Sequence, residues 1–293
     1  MSPDEHVLDT ISRSVPLSTL MLTCTTTEHA LNVLELAAAV LHSHTKAVVR
    51  MAGVIVDGMM PVEGVQSAMF FYAFKDCTPH VLKVLTRQRS AAAECQLWHD
   101  VRCHMASGGV FCVPVTRLEL HGEHVVQLSG GKTDSTALRE GVLMPRYACT
   151  LSNIPPPMEA AWAVRVLSRM SSSLHAVHLA GWVHGDVKPS NIFIDFEGNA
   201  WLGDYGSSCR VSELSEYTGG TPMFQCADVD VTDHEHFDNV CLAVTVLSAI
   251  GKLQQPKRAR TVGWAASLLQ AALADVCDAH LRAALEKLLV RIL

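Results

Sequence analysis

The chain has no apolar run of the ~18 residues a membrane-spanning helix requires, and none of its ten cysteines forms a C-x-x-C pair. It also lacks a basic excess: 23 Lys and Arg stand against 29 Asp and Glu, a formal charge of −6. These absences argue against a membrane span, a zinc module built on tight ligand pairs, and general attraction to nucleic acid or anionic lipid. Cys95, Cys103 and His104 lie close in sequence but lack a second tight pair, so free thiols in a reducing compartment are the expectation. The acidic start, Met1 to Glu5, does not resemble a secretory leader, and a cytoplasmic location is expected.

What is present is length and apolar content. With 293 residues, about half of them hydrophobic, the chain can bury one large core or two packed lobes. Residues 1–27 are polar and rich in Ser and Thr, and Glu28 to Val49 carries Leu31, Leu34, Val40 and Leu41 near helical spacing. Short apolar runs follow at Val54–Val56, Met69–Tyr72 and His80–Leu85, separated by Gly, Pro and Asp, and predict an antiparallel sheet. A helix is expected over Ser90–Met105, and strands near Val110–Val115 and over Val142–Met144. Gly130-Gly131-Lys132-Thr133 looks like the tail of a Walker phosphate loop. The motif needs glycine five residues before Gly131, where Val126 stands, and this excludes it.

Beyond the triple proline 155–157 the pattern turns helical. Ala163, Val166, Met170, Leu174 and Val177 form one stripe that Gly181 closes, and Phe237, Val240, Cys241, Val244 and Leu247 form a second. Residues 263–293 give one or two further helices. Strands first and helices second predict an α+β chain of two unlike lobes with a cleft between them.

Two stretches carry chemistry. Val183 to Asp195, VHGDVKPSNIFID, holds Asp186, a Lys two places on and Asn191 five places on in one loop. Phosphoryl transfer needs such a set: a carboxylate for the hydroxyl proton, a cation near the moving phosphate and an amide oxygen for metal. Leu202 to Gly206, LGDYG, adds the carboxylate of Asp204 beside an aromatic and a glycine.

Together these stretches resemble the eukaryotic protein-kinase family, whose catalytic loop reads His-Arg-Asp-Leu-Lys-x-x-Asn and whose metal loop reads Asp-Phe-Gly. The resemblance implies a bilobal fold, with an antiparallel sheet and one helix in the first lobe (about 50–144) and a mostly helical second lobe (about 145–293). Residues 1–49 would be an extension carrying a helix. It implies ATP and Mg²⁺ as cofactors and phosphoryl transfer to Ser or Thr of a protein substrate. Asp186 would be the base, Lys188 would contact the γ-phosphate, and Asn191 and Asp204 would hold Mg²⁺. Lys83 looks like the strand lysine that grips the α- and β-phosphates, with Glu94 as its partner and Trp98 as an apolar anchor one turn on. Val81 would border the adenine pocket, Met144 would be the gatekeeper, and Pro145 to Ala148 the hinge. Tyr205 and Gly206 complete the metal loop. GGTPMFQCAD, with Thr221, looks like the end of an activation segment, Asp238 sits where the family places a buried helix Asp bracing the catalytic loop, and His184 is counted with these structural residues.

The chain also departs from the pattern. Between Gly58 and Ala73 only Gly58 and Gly64 are available for the glycine-rich loop, with Ser67-Ala68 at its tip, which predicts weak nucleotide binding. Val81 replaces a small alanine, and Gly185 replaces the arginine that pairs with a phosphorylated activation loop. Activity is therefore expected not to depend on phosphorylation of Ser207, Ser208, Ser212, Ser215, Tyr217 or Thr218. Ala-Pro-Glu is reduced to Cys226-Ala227-Asp228, whose acid is expected to reach Arg282 or Arg291. His234-Glu235-His236 reads as capping and surface residues. Two other readings compete: a pseudokinase scaffold that binds ATP or a partner without turnover, and a small-molecule phosphotransferase of the aminoglycoside or choline type. Lys188-Pro189 and Thr221-Pro222 favour a protein substrate over the latter.

Overall fold

The computed structural model describes residues 49–51, 54–59, 68–76, 78–85, 91–104, 110–120, 139–216, 219–253 and 264–291. The N-terminal extension up to residue 48, Gly64, the Gly-Gly-Lys-Thr stretch, Tyr217 and Thr218 lie outside them. Two compact units are formed: one from the described residues of Met1–Ala92 and Pro114–Arg146, the other from those of Ala93–Val113 and Tyr147–Leu293.

The first unit is a six-stranded antiparallel sheet. Its strands are β1 (Val49–Met51), β2 (Val54–Met59), β3 (Ala68–Lys75), β4 (Thr78–Leu85), β5 (Thr116–Leu120) and β6 (Arg139–Pro145), in spatial order β1-β2-β3-β4-β6-β5. The period of two sorts the side chains. Val54, Val56, Phe71, Ala73, Leu82, Val84, Leu118, Leu120 and Leu143 form one buried cluster. Val81 and Met144 are cross-strand partners, as are Lys83 and Val142, so Val81, Lys83 and Met144 share the other face. Register slips between Val56 and Met59, placing Gly58 in an irregularity of β2.

Helix α1 (Ala91–Arg102) begins where Glu140 accepts the Ala91 amide at 2.8 Å, one of the orphan donors of its first turn. The division between the units falls inside this helix. In the second unit Asp100 accepts from Trp182 Nε1 and from Arg210, both at 3.0 Å, and the Arg210 guanidinium stacks 4.6 Å from the Trp182 ring. The expected strand near Val110–Val115 is irregular backbone instead. Phe111 N–H donates to Ser173 Oγ, while Phe111 O and Val113 N–H bond the backbone of Leu202 at 2.7 Å.

The second unit is mostly helical. It comprises β7 (Cys149–Thr150), α2 (Ala160–Leu179), β8 (Trp182–Val183), β9 (Ile192–Ile194), β10 (Ala200–Leu202), β11 (Cys209–Arg210), α3 (His234–Ala249), α4 (Ala266–Ala274) and α5 (Ala279–Leu289). The stripes read from the sequence are its core: Met170, Leu174, Val177, Val244 and Leu247 are fully buried. Strands followed by helices give the α+β class expected. Among the described residues no helix is long and apolar enough to cross a membrane.

Candidate active site

Helix α2 stops at Gly181, which adopts φ +77°, and the chain turns into β8. β8 pairs antiparallel with β11, Val183 opposite Cys209, so the loop that follows β8 and the loop that precedes β11 emerge at the same end. The first of these, 184–191, is held from below by α3. Asp238 is fully buried and accepts the amides of His184 and Gly185 at 2.9 Å each and His178 Nε2 at 2.9 Å. Burial opposes ionisation of Asp238. The His178 hydrogen bond, reinforced by His184 and the Gly185 amide, outweighs it and holds the carboxyl below the ordinary carboxylate range. Thr245, also on α3, donates to Val187 O.

Gly185 itself has φ +78°, a left-handed conformation that glycine adopts without strain. His184 Nδ1 accepts the Asp186 amide at 3.3 Å, so its proton sits on Nε2 and is donated to Gly203 O at 3.1 Å. That bond links the 184–191 loop to the 203–206 loop. A second link runs from Gly203 N–H to Asn191 O at 3.0 Å.

Within this frame Asp186, 8% exposed, points its two oxygens differently. Oδ2 accepts Lys188 Nζ at 2.7 Å and Asn191 Nδ2 at 3.3 Å. Oδ1 is shut off from solvent and has no hydrogen-bond partner among the described residues. A buried acceptor left unsatisfied costs about 1–3 kcal/mol, and such atoms in native folds call for an explanation. Lys188 Nζ also donates to Thr221 Oγ1 at 2.8 Å, which joins the end of the 204–228 segment to the 184–191 loop. Asn191 spends its amide donor on Asp186 O at 2.8 Å, which turns its Oδ1 away from that bond.

Asp204 adopts φ +58°, ψ +73°. Besides Asp76 in a turn, it is the one described non-glycine residue with positive φ, a conformation that costs about 1–3 kcal/mol and gathers at functional positions. Tyr205 is buried beside it and donates its hydroxyl to Val113 O and Leu202 O, while its ring meets His184 edge-on at 6.0 Å. Burial first, then neighbouring Cys112, Tyr147 and Glu94, push the Tyr205 phenol up. Burial pushes the Cys112 thiol up to about 12, so both stay neutral. Glu94 and, in the sheet unit, Lys83 are both buried.

Gly203 admits no side chain. A Cβ there would lie 2.8 Å from Val113 Cγ2 and 2.9 Å from Phe193 Cε2. Gly203→Ala is expected to cost about 1–3 kcal/mol by overpacking, measurable as a lowered urea midpoint; an unchanged midpoint would mean that the loop yields easily.

Two expectations are corrected here. Asp228 reaches neither arginine: its Oδ2 accepts the Ala266 amide at 2.8 Å at the start of α4. Arg282 instead donates to the carbonyls of Ala274 and Val276, and Arg291 pairs with Asp233. The acid is one methylene shorter than Glu, and a helix amide lies within its reach. In the His-Glu-His stretch His236 is buried rather than on the surface, with burial lowering its pKa, and His234 packs its ring on His178. His178 itself was not singled out from sequence. Its position on the apolar stripe of α2 reads as core, and its partner Asp238 lies 60 residues away.

Among the described residues no group of three or more His, Cys, Asp or Glu is placed to hold a metal ion. Asn191 and Asp204 alone offer two oxygen ligands. That suits Mg²⁺, which commonly takes one or two protein oxygens and completes its shell with phosphates and water.

No family profile matches the chain. Over 78 residues it is 33% identical to a serine/threonine-protein kinase US3 homolog of Gallid herpesvirus 2, covering 26% of this chain and 19% of that protein. Over 74 residues it is 35% identical to the serine/threonine-protein kinase US3 of Human herpesvirus 2, covering 24% and 15%. The match thus spans about a fifth or less of these relatives' lengths. In structure the chain is similar to the Cydia pomonella granulovirus kinase PK-1, with a TM-score of 0.51 at 14% identity over 75% of this chain and 74% of that one. The chain is related to the protein kinase superfamily. It carries that superfamily's fold, which the likeness to PK-1 supports across three quarters of its length.

Proposed function

We propose that the chain transfers the γ-phosphoryl group of ATP, with Mg²⁺, to Ser or Thr hydroxyls of protein substrates. The observation that carries this reading is the Asp186 carboxylate. One of its oxygens is fixed by Lys188 and Asn191; the other is buried and unpartnered. An acceptor hydroxyl that donates to this carboxylate has its oxygen aimed for attack. Lys188, held between Asp186 and Thr221, keeps a positive charge beside the reacting oxygens. Asn191 Oδ1 and the Asp204 carboxylate would hold Mg²⁺. When bound, the nucleotide supplies the phosphoryl group, and the metal offsets its charge. In the sheet unit the shared face of Val81, Lys83 and Met144 is assigned to nucleotide contact, and Gly64, which precedes β3 in sequence, is assigned with it.

The test is incubation of the full chain with ATP, Mg²⁺ and mixed protein substrates, followed by phosphoamino-acid analysis. Phosphoserine and phosphothreonine are expected, and chelation of Mg²⁺ should abolish them. Phosphotyrosine alone, or transfer only to small alcohols, would overturn the reading.

Gly185 gives no side chain to meet a phosphorylated segment, and Ser208 Oγ is spent on His184 O at 3.0 Å. Phosphatase treatment of the purified protein is therefore expected to leave the transfer rate unchanged within about twofold. Loss of activity on treatment would show that the segment is a phosphorylation switch after all.

A further inference from the structure

A cavity of about 810 Å³ opens in the helical unit beside the catalytic loop. Ser190, two residues after Lys188, and Phe224, three after Thr221, both line it. Lys188 and Thr221 are bonded to each other, so the wall of the cavity and the Asp186 site are built from the same two segments. Ile154 and Pro157 add apolar surface, and Ser248 and Lys252 close the wall from the end of α3. The volume falls within the usual range for a ligand site and exceeds that of a single side chain.

The charge of this wall decides what it accepts. Among the described residues no Asp or Glu contributes to it, and Lys252 is the one formal charge they supply. An Arg or Lys entering there would be desolvated without a counter-charge and would face a like charge, which is unfavourable on both counts. Apolar side chains gain about 25 cal/mol for each Å² they bury against Ile154, Pro157 and Phe224.

Resting on the phosphotransfer reading above, we infer that this cavity selects acceptor proteins whose phosphorylated segment carries a large apolar side chain, rather than a basic one, within a few residues of the Ser or Thr. Because Ser190, which lines the cavity, directly precedes Asn191, whose side chain bonds Asp186, an extended chain with its hydroxyl at Asp186 would reach the cavity through its neighbouring residues.

The experiment uses dye-labelled peptides of about twelve residues with a central Ser, in which each flanking position is set in turn to Leu, Arg or Glu. Binding to the full chain is read by fluorescence anisotropy, and transfer from ATP is read in parallel. At one or more positions Leu peptides are expected to bind about tenfold tighter than Arg peptides. In the double variant Ser190→Glu with Lys252→Glu the ranking is expected to move toward Arg; both positions are exposed, so the fold has no reason to fail. Arg peptides binding the unmodified chain as tightly as Leu peptides, no peptide binding at all, or a ranking untouched in the double variant would each overturn the inference. Leu-selective binding without transfer would uphold the cavity and sink the phosphotransfer reading. Transfer without Leu selectivity would do the reverse.

Discussion

Replacing Asp186 with Asn is expected to lower the single-turnover rate of phosphate transfer about a thousandfold or more, which is roughly 4 kcal/mol of barrier. The substitution keeps the volume and one acceptor oxygen, so the loop geometry and the Asn191 bond to the Asp186 carbonyl have no reason to change. It removes the negative charge that draws the acceptor hydroxyl's proton, and Lys188 keeps only its Thr221 bond at full strength. Nucleotide affinity and the unfolding midpoint should therefore move little while the rate collapses. A rate within tenfold of the unmodified protein would show that Asp186 positions nothing essential.

Asp238→Ala is expected to destabilise the chain by about 3–5 kcal/mol, because it strands the His178 N–H and two buried backbone amides at once. Urea denaturation at neutral pH reads this directly, and transfer should fall with it, since the 184–191 loop loses its support. The pH dependence gives a second readout. The folded carboxyl sits below its unfolded value of about 3.9, so its stabilisation is present above that value and is lost as pH falls through the folded one. The unmodified protein should shed this contribution below about pH 4. The Ala variant, having nothing to lose there, should show the flatter curve. A loss of under 1 kcal/mol at neutral pH would contradict the bracing role, since it lies below the stated range.

The parts of the molecule legible in the sequence are those whose signal is local. The runs at Val54, Met69 and His80 alternate or cluster as strands do, and β2, β3 and β4 form there. The stripes of α2 and α3 repeat at helical spacing, and their residues are the buried ones. Misplacement of the strand after α1 has a physical reason. Phe111 to Val115 is the more apolar run, but it buries its side chains as irregular backbone tied to Leu202 and Ser173. Thr116–Leu120 alternates because it is an edge strand with one exposed face.

The same division holds at the site. Asp186, Lys188 and Asn191 fall within six residues, so their chemistry is visible as a motif. The contacts that set their geometry span long separations: His178 to Asp238, Lys188 to Thr221, and Asp100 to Trp182 and Arg210. No spacing rule reports such pairs, and the expected partner for Asp228 failed for that reason. The left-handed backbone at Gly185 is likewise invisible in sequence, where the residue reads only as a missing arginine.

The most direct test of the account is phosphate incorporation from labelled ATP with Mg²⁺, comparing the full chain with Asp186→Asn on the same Ser- and Thr-containing proteins. Incorporation by the unmodified chain and its loss in the variant are the expected result. No incorporation by either protein, with ATP still bound by both, would contradict it and leave a scaffold that binds nucleotide without turnover.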